Sequence, residues 1–417
     1  MIGVSKLYCG SVEASDALRY RHREAKTVPS HLLQFSASKK PVIVWNVTRS
    51  CNLACLHCYA AATPGPAPDE LSFAEGQALV KSLADFGVPV ILFSGGEPLA
   101  HPHIFELIEL AVKGGVRAVL STNGLLLGKR EATKLKELGL AYAGISLDGL
   151  ATPHDRMRGR PGAFQGALKA IRTAREAGLK VGLRLTLTQS NFADLERIFE
   201  LMVEEDIPRA CFYHLVDQGA NPSLKSEALT LERTRAAVDL IAQKTQELHQ
   251  KGRLIEVLTV DNQADGPYLY LKLLAEGRVK DAENVLKLLQ LNGGASSGHG
   301  IGAISWDGAV HPDQFWRSVV LGSTREKSFP EIWNDPNNEL LMALRDKTSH
   351  LTGRCAACRF LAICGGGLRA RAQNLTGDPW SPDPACYLTS EEIGLEESEA
   401  TSSLDYRSSY PRSNQGY

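Results

Sequence analysis

From about residue 40 the chain alternates between two hydrophobic patterns. Short apolar runs end in Gly, Asn, Ser or Asp: Val42–Val47, Val90–Ser94, Ala118–Ser121, Ala143–Leu147, Val181–Leu187 and Cys211–Val216. Between them, segments such as Ser72–Phe86, Ile104–Val112, Glu131–Leu138, Ala163–Ala177 and Leu195–Glu205 carry apolar residues three and four apart, the period of a helix with one buried stripe. Six strand–helix units in series predict an α/β protein with a parallel sheet, because parallel neighbours need crossover helices. Runs that are apolar throughout predict strands covered on both faces. Periodicity leaves two forms open, a partly closed barrel and an open doubly wound sheet.

The pattern divides the chain into five parts. Residues 1–39 are polar and irregular, with an Arg/His-rich stretch from Arg19 to Arg23. Residues 40–230 hold the strand–helix units, and 231–290 form a helical connector with helices expected over Leu231–His249 and Pro267–Leu289. Residues 291–390 form a smaller region that opens Gly- and Ser-rich. Its Trp306-Asp307-Gly308 predicts a hairpin turn; residues 324–348 read as a short helical stretch, and cysteines follow among Gly and Pro. Residues 391–417, acidic and then Ser-rich, have the composition of a disordered tail.

Composition narrows the partners. With 417 residues, 43% apolar and 22% charged, the chain can bury a sizeable core. Its 46 basic and 47 acidic side chains leave a net charge of -1, without the basic field that nucleic acid requires. No apolar run approaches a membrane span, and the first residues do not resemble a secretory signal. A cytoplasmic protein is expected. In a reducing compartment, clustered thiols point to metal or redox work rather than to disulfides. Seven of the nine cysteines fall into two clusters.

The first cluster, Cys51-x3-Cys55-x2-Cys58, follows the first strand directly. Three thiolates on a loop can wrap one soft metal centre. A four-iron cubane held by three thiolates keeps one iron open for a small chelating ligand, as catalytic metal sites do. A zinc site with a distant fourth ligand is the alternative. The loop sits where parallel α/β folds place their chemistry, at the carboxyl end of a strand.

This loop resembles that of the radical S-adenosylmethionine enzymes, and other elements agree in order and place. Ser94-Gly95-Gly96-Glu97-Pro98 follows the second strand, Ser121-Thr122-Asn123-Gly124 ends the third, and Ser146-Leu147-Asp148-Gly149 ends the fourth. His154-Asp155-Arg156-Met157-Arg158-Gly159 comes next. The resemblance implies a partial (β/α)6 barrel, S-adenosylmethionine as cofactor, and a [4Fe–4S] cluster on Cys51, Cys55 and Cys58. It implies that Gly95, Gly96 and Glu97 meet the methionine ammonium. Side chains at Ser121, Asn123, Ser146 and Asp148 line the cofactor, with the ribose hydroxyls at the fourth strand. Arg158 holds the methionine carboxylate, and His57 lies near the adenine. In such enzymes the cluster gives one electron to the sulfonium, and the resulting 5′-deoxyadenosyl radical abstracts hydrogen from an unreactive carbon.

The second cluster, Cys355-x2-Cys358-x5-Cys364 and then Cys386, suits either zinc or a fully anchored [4Fe–4S] cluster. The region resembles the SPASM auxiliary-cluster extension. Leu368 and Ala303 stand where further cysteines are expected, so one auxiliary cluster is expected rather than two. Of the remaining thiols, Cys211 reads as a buried core residue and Cys9 as a packed thiol in a turn.

Further segments, among them Leu32-Leu33-Gln34-Phe35-Ser36 and Thr259-Val260-Asp261-Asn262, resemble the radical enzymes of siroheme-dependent haem biosynthesis. That resemblance implies removal of two acetate side chains from 12,18-didecarboxysiroheme to give iron-coproporphyrin III. A low-potential donor such as a ferredoxin or flavodoxin would supply the electron. Arg19, Arg21, Arg184 and Arg317 are then candidate partners for the carboxylates of an iron-tetrapyrrole. Tyr8, Trp306, Phe315 and Trp316 are candidates to flank the ring, His214 and His311 to ligate its iron, and Cys9 to reach the site. One departure is Asp217-Gln218-Gly219-Ala220, where a Ser-Gly-Arg-like turn is expected. Rival readings are a haem d1 enzyme, a peptide-modifying SPASM enzyme, and a non-catalytic iron–sulfur or zinc scaffold.

Overall fold

A computed structural model describes residues 1–11, 40–217 and 222–395. Arg19, Arg21, the Leu32–Ser36 segment, Gln218-Gly219-Ala220 and the tail beyond residue 395 lie outside the described residues. The strands are β1 (Ile2–Gly3), β2 (Val42–Asn46), β3 (Val90–Ser94), β4 (Arg117–Thr122), β5 (Tyr142–Ser146), β6 (Val181–Leu187), β7 (Arg209–His214), β8 (Glu256–Val260), β9 (Ile301–Ile304), β10 (Ala309–His311) and β11 (Gly322–Ser323). They form one sheet in the order β1-β8-β7-β6-β5-β4-β3-β2-β9-β10-β11. Pairing from β2 through β8 is parallel throughout.

That order resolves the choice left open by periodicity. A doubly wound sheet reverses its strand order at a switch point. Here the order from β2 to β8 never reverses, and right-handed crossovers then put the helices between these strands on one face. The other face curves around a cavity that Val44, Leu92, Ser121, Ser146, Arg184 and Tyr213 share, one from each of six successive strands. The fold is a partial barrel of parallel strands. Outward side chains such as Ile43, Trp45, Ile91, Phe93, Ile145, Leu183 and Phe212 build the core under the helices.

Local signals explain the helices. The first crossover helix, α1 in the barrel (Phe73–Phe86), starts at a Ser72/Glu75 capping box and stops at Gly87, whose φ is 82°. The connector expected over residues 231–290 is in part barrel. After helix α2 (Leu231–Gln250) comes β8, a seventh parallel strand. The expected helix over Pro267–Leu289 is two helices, α3 (Asp265–Ala275) and α4 (Val279–Asn292), because Gly277 turns left-handed between them. Residues 4–9, expected to be irregular, form a short helix packed on β8 and α2, so Cys9 ends a helix rather than sitting in a turn. The Trp306-Asp307-Gly308 turn joins antiparallel β9 and β10, and β9 pairs parallel with β2. The smaller region is thereby continuous with the barrel sheet. Among the described residues no helix is long and apolar enough to cross a membrane.

Candidate active site

The cysteine loop between β2 and α1 is held on two sides. Its first residues zip to the turn after β3: the Val47 N–H donates to Ser94 O (3.0 Å), Gly96 N–H to Thr48 O (2.7 Å) and Glu97 N–H to Ser50 O (2.8 Å). A Cβ on Gly96 would lie 2.2 Å from the Ser50 carbonyl oxygen, so only glycine admits this contact. Further along, Cys51 N–H donates to Thr63 O (2.8 Å) and Leu56 N–H to Met157 O (2.9 Å), in the helix Ala151–Arg158. Cys51, Cys55 and Cys58 consequently all line one cavity of about 160 Å³.

The donor set fits an iron–sulfur cluster. Asn123 Nδ2 lies 3.8 Å from Cys51 Sγ, and Arg158 Nη1 lies 3.7 Å from Cys55 Sγ. The Ala62 N–H points at Cys58 Sγ at 3.4 Å. Such donors stabilise and orient thiolate ligands. Burial pushes the Cys51 thiol up to about 11 and also raises Cys55, against the pull of Arg158. Thiols so placed keep their protons at neutral pH until a metal displaces them.

The same cavity is lined by His57, Gly95, Gly96, Ser121, Asn123, Ser146 and Arg158. Glu97 and Asp148, expected beside them, do not reach it. Glu97 is fully buried, and its carboxylate accepts from Thr122 Oγ1 (2.7 Å), Asn123 N–H (2.8 Å) and Leu99 N–H (3.1 Å). These bonds tie Glu97 to the end of β4. Asp148 accepts from Thr186 N–H (2.8 Å) and pairs with Arg158 Nη2 (2.6 Å). Burial works against ionising Asp148, but the Arg158 guanidinium prevails and holds it below the usual carboxylate range. Asp148 therefore positions Arg158. His57 sits 3.4 Å from the same carboxylate, and burial lowers it to about 4, so its ring is neutral.

The other part of the wall comes from the later strands. Arg184 lies against the Tyr213 ring, 4.7 Å from its centroid, with no carboxylate in salt-bridge range among the described residues. Gly144 makes room for it, since a Cβ there would meet Arg184 Cδ at 2.5 Å. Phe315, Gln314 and Tyr59 close the mouth, and Tyr59 bonds Asn46 and Ser94 (3.0 Å each). His214 lines the cavity, but its Nε2 is engaged by Asp265 (2.8 Å), which also accepts from Tyr387 (2.7 Å). Tyr59, Tyr213, Gln314 and Asp261, just after β8, are wall residues that the sequence did not single out as candidates; for Asp261 the signals were a short apolar run ending in Asp and its place in the Thr259–Asn262 segment.

Other candidates are not in this wall. His311 is buried with both ring nitrogens engaged, by Ser305 Oγ (2.8 Å) and Val319 O (2.7 Å), so it has no nitrogen for a substrate iron. Arg317 donates to Tyr59 O (3.2 Å) and stacks on Trp306, which Arg49 also approaches, so this pair braces the cysteine loop. Trp316 is core, packed with Val216, Leu344 and Leu368. Tyr8 bonds Glu276 (2.6 Å), and Cys9 packs against the main core. Cys211 is buried beside Leu258 and Val260.

The second cysteine group converges as well. Cys355, Cys358, Cys364 and Cys386 line one small, mostly apolar pocket with Phe360, Leu361, Leu388 and Ile393. Burial pushes all four thiols up, Cys386 to about 12. Beneath them Asp383 holds the fold together: Arg371 clamps both its oxygens (2.7 and 2.8 Å), and Leu368 N–H adds a third bond (2.7 Å). Leu368 fills an apolar cluster and Ala303 a tight position between β2 and β10, where no metal ligand is needed. Four thiols around a dry pocket fit a fully ligated cluster.

Comparison with known proteins gives two family matches, the radical SAM superfamily over residues 45–202 and an iron–sulfur cluster-binding domain, SPASM, over residues 298–359. The chain is 54% identical over 400 residues to Fe-coproporphyrin III synthase of Methanosarcina barkeri, covering 95% of this chain and 100% of the relative. It is 38% identical to pre-heme d1 synthase of Dinoroseobacter shibae, over 85% of this chain and 88% of the relative. Among solved structures, Streptococcus suis SuiB bound to S-adenosylmethionine superposes with a TM-score of 0.66 at 17% identity, covering 86% of this chain and 81% of that one; this likeness concerns the fold.

Proposed function

The chain belongs to the radical SAM superfamily, as an enzyme with a SPASM iron–sulfur domain, and from that premise we propose that it acts in siroheme-dependent haem biosynthesis. Its reaction is removal of two acetate side chains from 12,18-didecarboxysiroheme to give iron-coproporphyrin III. The observation that carries this reading is the 54% identity to Fe-coproporphyrin III synthase along the full length of that relative. The cavity supports it, with three thiols in one part of its wall and, in another, Arg184, which pairs with no carboxylate among the described residues.

When bound, the first cluster supplies the electron that cleaves S-adenosylmethionine and so starts hydrogen abstraction. Cys51, Cys55 and Cys58 hold that cluster. Arg158, fixed by Asp148, presents its guanidinium to the methionine carboxylate, while the Gly95–Gly96 backbone lets the cofactor approach closely. Asn123, Ser121, Ser146 and neutral His57 line the rest of its site. Arg184 takes a substrate carboxylate, and Phe315 with Tyr59 keeps water from the reacting carbon. Cys355, Cys358, Cys364 and Cys386 hold one auxiliary [4Fe–4S] cluster, and a ferredoxin or flavodoxin delivers electrons. The barrel unit ends after β8, and residues 291–390 form the auxiliary-cluster domain. Nine free thiols suit the reducing cytoplasm.

Anaerobic turnover of didecarboxysiroheme with S-adenosylmethionine and reductant tests this reading. Iron-coproporphyrin III and deoxyadenosine should form together, with acetate released. Acetate loss without deoxyadenosine would sink the mechanism. A product of different mass would favour the haem d1 reading suggested by the 38% identical relative.

A further inference from the structure

We infer that Asp261 selects the substrate: its carboxyl pairs, through one shared proton, with a carboxylate carried by the tetrapyrrole. This rests on the reading that the cavity takes a polycarboxylate macrocycle, and it names a recognition element beyond the cationic Arg184.

The geometry of Asp261 is unusual in two independent ways. Its φ is 69°, left-handed for a residue with a side chain, a conformation that Asp tolerates better than most but that still costs free energy. The surroundings impose it. Arg371 Nη2 donates to the Asp261 carbonyl (2.9 Å), and the next residue, Asn262, donates through Nδ2 to Ala385 O (2.9 Å). The second feature is the carboxyl itself. It lines the active-site cavity, and its buried Oδ2 has no hydrogen-bond partner among the described residues. A buried acceptor without a donor is costly, and native structures retain few of them.

The neighbouring side chains have other commitments. The titratable and charged groups facing Asp261 are His214 and Tyr213 on β7, Asp313 after β10, Arg371 on the helix Arg369–Thr376, and the amino group at Met1. His214 is bound to Asp265, Asp313 accepts from Ser297 Oγ (2.5 Å) and Phe315 N–H (2.8 Å), and the Arg371 fork holds Asp383. No hydrogen bond to Oδ2 is made among the described residues, and we assign its partner to a ligand in the cavity. Burial already pushes the Asp261 carboxyl up to about 6 against the pull of Arg371, His214 and the amino terminus. A substrate carboxylate brought alongside pushes it higher still, because two like charges cannot share one buried site. The pair then holds one proton, and binding near neutral pH takes that proton up. A macrocycle edge without a carboxylate leaves Oδ2 unsatisfied and is rejected.

The test is a Soret-band binding titration of the anaerobic, cluster-loaded full chain with iron-coproporphyrin III between pH 6 and 8, repeated with its tetramethyl ester. The wild type should lose affinity by up to about tenfold per pH unit as pH rises, and Asp261→Asn should remove that slope while still supplying a donor. Asp261→Ala should bind about tenfold more weakly at pH 6.5, and the ester should bind weakly without a pH slope. An unchanged slope in Asp261→Asn overturns the assignment while leaving the parent reading intact, whereas equal binding of the ester overturns both the assignment and the carboxylate role of Arg184. No binding of the tetrapyrrole by any form overturns both.

Discussion

The two cysteine regions use the same ligand atom for opposite purposes. Around Cys51, Cys55 and Cys58, polar donors from β4 and from the helix after β5 point at the sulfurs, and the thiols face a cavity. Around Cys355, Cys358, Cys364 and Cys386 the pocket is smaller and mostly apolar, the donor to sulfur is backbone, Phe360 N–H to Cys358 Sγ (3.3 Å), and Asp383 pairs with Arg371. Three ligands beside a cavity leave a coordination position for chemistry, whereas four in a dry pocket close the site. Supporting residues differ accordingly: Asp148 fixes Arg158 in the cavity wall, and Asp383 fixes a chain path.

The sharpest test of that division is loss of one thiol on each side. Cys55→Ala should reduce S-adenosylmethionine cleavage to background and remove about four irons per chain, while the fold persists. Cys386→Ala should lose about the same iron but keep uncoupled cleavage. Equal loss of cleavage in both, with the other cluster intact by iron count and electron paramagnetic resonance, would erase the distinction. The next largest effect is on stability. Asp383→Ala leaves Arg371 buried without its partner and should cost about 3–5 kcal/mol, read by thermal melting, along with the auxiliary iron.

Arg158→Lys probes the other region. It keeps the charge but loses the fork that spans Asp148 and Cys55. S-adenosylmethionine affinity should fall about tenfold to a hundredfold, with little change in melting temperature. A shift in melting without a shift in affinity would make Arg158 a structural residue. The smallest effect is common to both regions. Buried Asp148 and Asp383 are each held below the ordinary carboxylate range, against burial, by an arginine. A depressed carboxylate stabilises the fold above its unfolded value of about 4, and that contribution is lost as pH falls below it. Melting temperature should hold from neutral pH down to about 5 and drop below about 4; Asp383→Asn should flatten the drop more than Asp148→Asn.

Six strands, their crossover helices and both cysteine groups were legible because each announces itself within a few residues. Apolar runs of five to seven residues and thiols at short fixed spacing are local signals. Strand β8 was not legible, because Glu256 and Thr259 interrupt its apolar run between two helical stretches, and the place of Asp261 in the wall was hidden with it. The hydrogen-bond partners of Glu97, Asp148 and His311 were not legible for a different reason. Each is a polar residue at the right place in the chain, but its partners lie 25, 10 and 8 residues away, at Thr122, Arg158 and Val319.

The sequence by itself determined the fold class, the two sets of thiols and the turn residues at the strand ends, because these depend on residue type and spacing. Only the tertiary structure decided which way the sheet closes, which carboxylates face the cavity and which are spent on neighbouring backbone, and which thiols line the larger cavity and which a small, mostly apolar pocket. Those outcomes depend on competition for hydrogen-bond partners among residues far apart in the chain, and burial makes that competition costly enough to settle.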